Sequence, residues 1–275
     1  MSKTSTQRDP MPVGGLDLAG QTAANRRRAA VLLAAMGAAV GVLVAVVLGL
    51  VLPWPVAVGG AVVAGAAVAW GSLRAAPRRA LRLAGGTPAD PERHARLINL
   101  VEGLSLAAGV PPPDLHVLDA PGLNALTLGL VPGRARLIVT SGLLEGLSRI
   151  ELEGVLAHEL SHVRTGDIRT ATLAAGLLSP AGVLGRPVAT TIRWLIGSQR
   201  ETLADLRAVS LTRYPPGLLA ALEAMAEADT APPPGFPAAI LPLWTAPPAG
   251  AAAGAGTVFD FQPRLAARIE ALREL

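Results

Sequence analysis

The chain has 275 residues, of which 51% are hydrophobic, 16% charged and 3% aromatic, with a mean hydropathy of +0.45. A soluble globular protein carries roughly 25% charged residues, so part of this chain is expected to meet lipid rather than water. The net charge of +4 comes from basic residues that flank apolar segments, which argues against nucleic acid, and the absence of cysteine excludes disulfides, iron–sulfur clusters, thiolate zinc sites and cysteine nucleophiles.

Residues 1–28 are polar and basic, lack an apolar period and end in Arg26-Arg27-Arg28, so a disordered tail is expected. Residues 29–52 are uncharged and mostly aliphatic, about 36 Å as a helix, enough to cross a hydrocarbon layer of roughly 30 Å. Pro53-Trp54-Pro55 breaks that run, and residues 56–73 supply a second uncharged stretch with Trp54 and Trp70 at its ends. A transmembrane hairpin is expected, since a cleaved signal peptide has a shorter apolar run and no immediate second one. Basic residues precede the hairpin and Arg74, Arg78, Arg79 and Arg82 follow it, which places both flanks, and the domain 74–275, in the cytoplasm.

In that domain Asp90 reads as an N-cap and Pro91 as the first residue of a helix reaching about Ala108, stopped by Gly109 and three prolines. Residues 115–118, 124–128 and 135–140 read as short strands of a small, partly antiparallel sheet. The strand 135–140 is expected to offer its edge to an extended substrate. Ser148-Arg149-Ile150-Glu151 matches a capping box, so a helix is expected from there to the stop at Gly166. The expected fold is mainly α with a small β-sheet, an α+β domain behind the hairpin.

That helix carries His158-Glu159-Leu160-Ser161-His162. Residues four apart share a helical face, so both imidazoles can bind one zinc ion, with Glu159 placed to take a proton from the attacking water. A catalytic zinc takes three protein ligands, and no histidine follows His162. A downstream carboxylate is required unless His94 or His116 folds back, and neither of those is assigned a role. Asp167 lies too close behind the helix to wrap round as a ligand. In Glu201-Thr202-Leu203-Ala204-Asp205 two carboxylates sit four apart, so Glu201 can bind the metal while Asp205 accepts a hydrogen bond from a ligand imidazole. The competing reading of that pair is a solvated acidic face answered by Arg200 and Arg207.

The hairpin, Asn124-Ala125, Leu143-Leu144, the run Leu152-Glu153-Gly154-Val155-Leu156-Ala157 before the zinc motif, Asp167 and Glu201-x-x-x-Asp205 together resemble HtpX-like membrane zinc metalloproteases, a family that includes the CAAX prenyl endopeptidases. The resemblance implies a gluzincin-type endopeptidase with one Zn²⁺ per chain, held by His158, His162 and Glu201, with Glu159 as general base and Asp205 and Asp167 in support. It also implies protein or peptide substrates, misfolded membrane proteins among them, and a place in the bacterial cell membrane. Asn124, Arg268 and Gln262 are expected near the oxyanion or the substrate.

Two departures from the family pattern stand out. Gln262 occupies a position where the family usually has histidine, and an amide can donate a hydrogen bond but cannot move a proton. A zinc-binding membrane pseudoprotease or scaffold is the rival reading that this residue supports; a transporter would need more spans and buried ionisable groups. Residues 170–198, where relatives often have two more membrane helices, contain Pro180, Arg186, Pro187 and Arg193. His162 and Glu201 must lie on one side of the membrane, and the 38 residues between them are too few for two crossings and a turn, which need about 40. A helical hairpin against the cytoplasmic leaflet is expected there, and a Pro/Ala/Gly-rich loop over 230–256.

Overall fold

The computed structural model describes residues 18–178, 200–228, 236–237, 240, 243–246 and 265–275. Helices α1 (Leu18–Gly49) and α2 (Trp54–Ala84) form an antiparallel pair, both long and apolar enough to cross a membrane. They approach closely because small residues face each other: a Cβ added at Gly65 would lie 2.5 Å from the Gly37 carbonyl oxygen. Their outer faces expose Val42, Leu43, Val46, Val62 and Val63, an apolar surface that water would penalise. Residues 18–28, expected within an unstructured tail, are instead the first turns of α1. Asn25 anchors them, donating to the Thr165 carbonyl and accepting from the Thr170 hydroxyl with its own carbonyl, each at 3.2 Å. Nor does α2 stop where its apolar run ends at Leu73; it continues to Ala84 and buries Ala76, Ala80 and Ala84 in the domain.

The sheet has the order β1-β2-β4-β3, built from β1 (Thr87–Pro88), β2 (Asp114–Leu118), β3 (Ala125–Leu128) and β4 (Arg136–Thr140). β2 and β4 run parallel with Leu115 opposite Leu137, while β3 returns antiparallel with Leu126 opposite Ile138. The strand expected to receive substrate, β4, is therefore interior and has no free edge. The expectation failed because β2 precedes β3 in sequence yet pairs with β4, a crossover that alternation of residue types does not reveal. Successive residues point to opposite faces, so Val117, Leu137 and Val139 enter one core and Leu126, Leu128 and Ile138 another.

The first core is closed by α3 (Ala95–Ala108), α5 (Arg149–Thr165) and α8 (Pro215–Glu227), and the second by the end of α2, α6 (Ile168–Leu178) and Trp244. Asp90 caps a turn over 91–94 by accepting from the N–H groups of Glu92 and Arg93, and the regular helix starts only at Ala95. The short α4 (Ser141–Gly146) leads into α5, whose capping box forms as expected: Ser148 Oγ accepts from Glu151 N–H, and the Glu151 carboxylate from Ser148 N–H. Gly154 lets α8 press onto α5, since a Cβ there would stand 2.7 Å from Leu218 N. Opposite α5 lie α7 (Arg200–Thr212) and α9 (Leu265–Arg273). Most of the segment 170–198 expected to touch the membrane lies outside the described residues; α6 holds its beginning, and its Gly176 packs against the Ala76 backbone of α2.

Candidate metal centre and active site

One turn apart on α5, His158 and His162 turn toward α7 with ring centroids 4.8 Å apart and planes at 86°. Their Nε2 atoms stand 3.2 Å from each other. Glu201, in the first turn of α7, brings Oε2 to 3.2 Å from His158 Nε2 and Oε1 to 3.8 Å from His162 Nε2. These three buried residues are the group among the described residues able to hold a metal ion, with ligand atoms all within 4.8 Å of one another. Metal–ligand bonds of about 2.0–2.2 Å at tetrahedral angles put neighbouring donors roughly 3.3–3.5 Å apart, so the spacing suits an ion such as Zn²⁺.

The remaining ring nitrogens are each held by a carboxylate. His158 Nδ1 is 2.8 Å from Asp205 Oδ1, and His162 Nδ1 is 2.8 Å from Asp167 Oδ2. Donating Nδ1–H to a carboxylate leaves each Nε2 lone pair directed at the shared point, the tautomer a metal needs. Asp205 follows Glu201 by one helical turn, and Asp167 reaches back because Gly166 ends α5 in the left-handed region at φ 67°. Behind the acids stand two buried guanidinium groups. Arg268 donates from Nε and Nη2 to Asp205, both at 2.7 Å, while Arg200 lies 3.2 Å from Asp167 and 3.3 Å from Glu201.

Burial disfavours every charge in this cluster, and the neighbours overcome it. It pushes the His158 imidazolium down, but the hydrogen bond and charge of Asp205, with help from Glu201, raise its pKa to about 9. Burial likewise raises Glu201 and Asp205, yet Arg200 and the imidazoles hold Glu201, and Arg268 and His158 hold Asp205, below the usual carboxylate range. Asp167 is lowered too, chiefly by Arg200 against its own desolvation. Three ionised acids, Asp167, Glu201 and Asp205, thus stand around the two imidazoles with Arg200 and Arg268 as counter-charges, a lining that suits a cation.

Glu159 is 1% exposed and makes a short hydrogen bond through each oxygen: Oε2 accepts from Thr127 Oγ1 at 2.7 Å and Oε1 from Thr245 Oγ1 at 2.6 Å. Asn124 is buried and pairs in both directions with the backbone of Ala246, its amide donating to the carbonyl at 2.6 Å and its oxygen accepting from N–H at 3.1 Å. Arg268, expected near substrate, is 1% exposed and devoted to Asp205 and the Thr245 carbonyl. Gln262 lies outside the described residues. Neither His94, which accepts from Asp90 N–H at the surface, nor His116 of β2 joins the metal group. Sequence reasoning missed Thr127, Thr245 and the part played by Arg200. Of these only Arg200 carried a signal, its position beside a candidate ligand; the contacts of Thr245 span up to 120 residues of chain.

Peptidase family M48 is matched by residues 91–193. A protease HtpX homolog from Dictyoglomus turgidum is 38% identical over 168 residues, covering 50% of this chain and 55% of that protein. Another from Tropheryma whipplei is 33% identical over 177 residues, covering 53% and 61% respectively. A third from Listeria innocua is 30% identical over 223 residues, which take in 65% of this chain and 73% of the relative. The chain spans somewhat more than half the length of the first two of these curated relatives. With a His-Glu-x-x-His helix, a downstream glutamate brought beside it and this extent of identity, the chain belongs to the HtpX-like branch of peptidase family M48.

Proposed function

We propose that the chain is a membrane-anchored, zinc-dependent endopeptidase in which His158, His162 and Glu201 hold the metal and Glu159 is the general base. The observation that carries this reading is the convergence of two imidazole Nε2 atoms and one carboxylate within 3.2–3.8 Å, next to a separately held glutamate. When bound, the metal supplies Lewis acidity toward the scissile carbonyl and makes water acidic enough to be deprotonated near neutral pH. Glu159 takes that proton and returns it to the departing amine. Asp205 and Asp167 keep the two imidazoles oriented, and Arg268 and Arg200 keep those aspartates ionised in a dry setting.

The terminal strand next to α5 is β3, not β4. Because Thr140 N–H donates to the Asn124 carbonyl across the antiparallel register, Ala125 and Thr127 direct their backbone groups away from β4, toward the outer edge. The Ala125 carbonyl accepts there from Thr245 N–H at 2.9 Å, so a peptide pairing with β3 would extend from Thr127.

The hairpin is proposed to cross the membrane with both ends in the cytoplasm. Exposed valines and leucines, basic residues at both flanks and Arg74 stacked 3.5 Å over the Trp70 ring, as at a membrane interface, support this. A role in quality control of membrane proteins rests on the likeness to HtpX homologs. Zinc content and casein hydrolysis by the detergent-purified chain test the proposal. Zinc near one per chain, cleavage lost in Glu159→Gln with metal retained, and metal lost in Glu201→Ala are expected. Zinc retained without cleavage above the Glu159→Gln background would instead make the chain a scaffold.

A further inference from the structure

The carboxylate of Glu159 is gripped from two directions. Thr127 reaches it from β3 and Thr245 from the 243–246 segment, one hydroxyl to each oxygen. Donors on both oxygens stop the carboxylate from rotating about its last bond, leaving a single plane and a single rotamer.

Both hydroxyls are themselves fixed. Thr127 sits in β3 between Leu126 and Leu128, whose side chains fill the second core. Thr245 N–H donates to the Ala125 carbonyl, and its own carbonyl accepts from Arg268. Next to it, Trp244 is buried in the second core and stacks edge-on against Phe236 with centroids 5.1 Å apart. The Thr245 hydroxyl is 3.0 Å from the Ala125 carbonyl and 2.6 Å from Glu159; its one proton goes to the nearer, charged acceptor. Valine has nearly the shape of threonine but no hydroxyl, so Thr→Val at either position removes the hydrogen bond to Glu159 with little change in volume.

From this geometry we propose that Thr127 and Thr245 are positioning residues that clamp Glu159 in the one orientation from which it exchanges protons. The proposal rests on the peptidase reading of Glu159. Arg268 extends the clamp: it touches the Thr245 carbonyl and the acid that orients His158, so the base and a candidate metal ligand are referenced to the same guanidinium.

The test uses the full chain in detergent with Thr127→Val, Thr245→Val, Thr127→Ser and Thr245→Ser. The valine variants are expected to keep zinc near one per chain and KM within about twofold while kcat falls about 10- to 100-fold. The serine variants, which keep the hydroxyl, should recover kcat to within about threefold. Should a valine variant not fold, serine and alanine substitutions at that position make the same comparison, since both lack the methyl and only one keeps the hydroxyl. Independently of turnover, thermal unfolding is measured for Thr127→Val and Thr245→Val, each with Glu159 intact and again in the Glu159→Ala background. The clamp requires a drop in Tm when Glu159 is intact and a smaller drop, or none, in the Glu159→Ala background. Equal shifts in both backgrounds, or serine variants as slow as valine, would overturn it. Coupled Tm shifts in a chain that never cleaves would leave the clamp standing and remove the peptidase reading.

Discussion

Arg268 and Asp205 form a fork-on-fork ion pair in which both hydrogen bonds are 2.7 Å long and both residues are almost wholly buried. The pair joins the C-terminal helix α9 to α7, and through Asp205 to His158. Arg268→Met would leave the Asp205 carboxylate buried without its principal counter-charge, a loss of about 3–5 kcal/mol for a broken buried pair. Chemical unfolding of the zinc-loaded protein should show it, and Arg268→Lys should recover only part, since an ammonium cannot fork. A midpoint unchanged in Arg268→Met would show that Asp205 is held by other means.

The buried acids and imidazoles give protein stripped of metal an unusual response to pH. His158 has a folded pKa of about 9, above its ordinary value of 6.5, so its contribution is full below about pH 6.5 and is lost as pH rises through about 9. Glu201 and Asp205 are lowered in the folded state, so theirs is present above the ordinary carboxylate range and lost as pH falls below it. In EDTA, Tm should therefore be highest near pH 5–6.5 and decline toward pH 9. Zinc should reverse the alkaline slope, because it requires His158 neutral and its binding releases a proton. A Tm in EDTA that rises between pH 6.5 and 9 would contradict the assignment of His158.

Close backbone packing at Gly154 makes a separate prediction. A side chain there meets Leu218 N at 2.7 Å, and because that atom is backbone the helices α5 and α8 must part. Gly154→Val should destabilise by about 1–3 kcal/mol or more, as overpacking does. Gly103, whose added Cβ meets nothing within 4 Å, is the control: Gly103→Ala should be neutral or stabilising by unfolding midpoint.

Since the native chain has no cysteine, single cysteines report topology without background. Val51→Cys, in the turn between α1 and α2, should react with an impermeant maleimide on intact cells. Glu92→Cys, on the surface of the domain, should react only after the cells are opened. The reverse pattern would place the domain outside.

Much of the site was legible in the sequence because it is local. Ser148 and Glu151 announce the start of α5, and the four-residue spacing of His158 and His162, like that of Glu201 and Asp205, is helical geometry read directly. What was not legible depends on distant contacts. Nothing near Thr245 indicates that its hydroxyl meets Glu159, and nothing near Asn25 indicates that it bonds to the ends of α5 and α6. The edge expected at β4 failed for the same reason: pairing of β2 with β4 is decided by packing on both faces of the sheet, while residue alternation reports only one strand at a time. Residues 18–28 turned helical because the domain supplies partners that a polar stretch alone lacks.

The unbroken course of α2 has one more consequence. Between Leu73, where its apolar run ends, and Ala84, buried at the foot of the sheet, the helix climbs at most about 16 Å. With Pro77 inside this stretch, it thereby acts as a spacer of limited height. On the proposed membrane reading, a neighbouring protein embedded in the same bilayer would need about five extended residues beyond the lipid surface to span that height. Tightly folded neighbours with short loops would be spared by reach alone, before any discrimination among side chains.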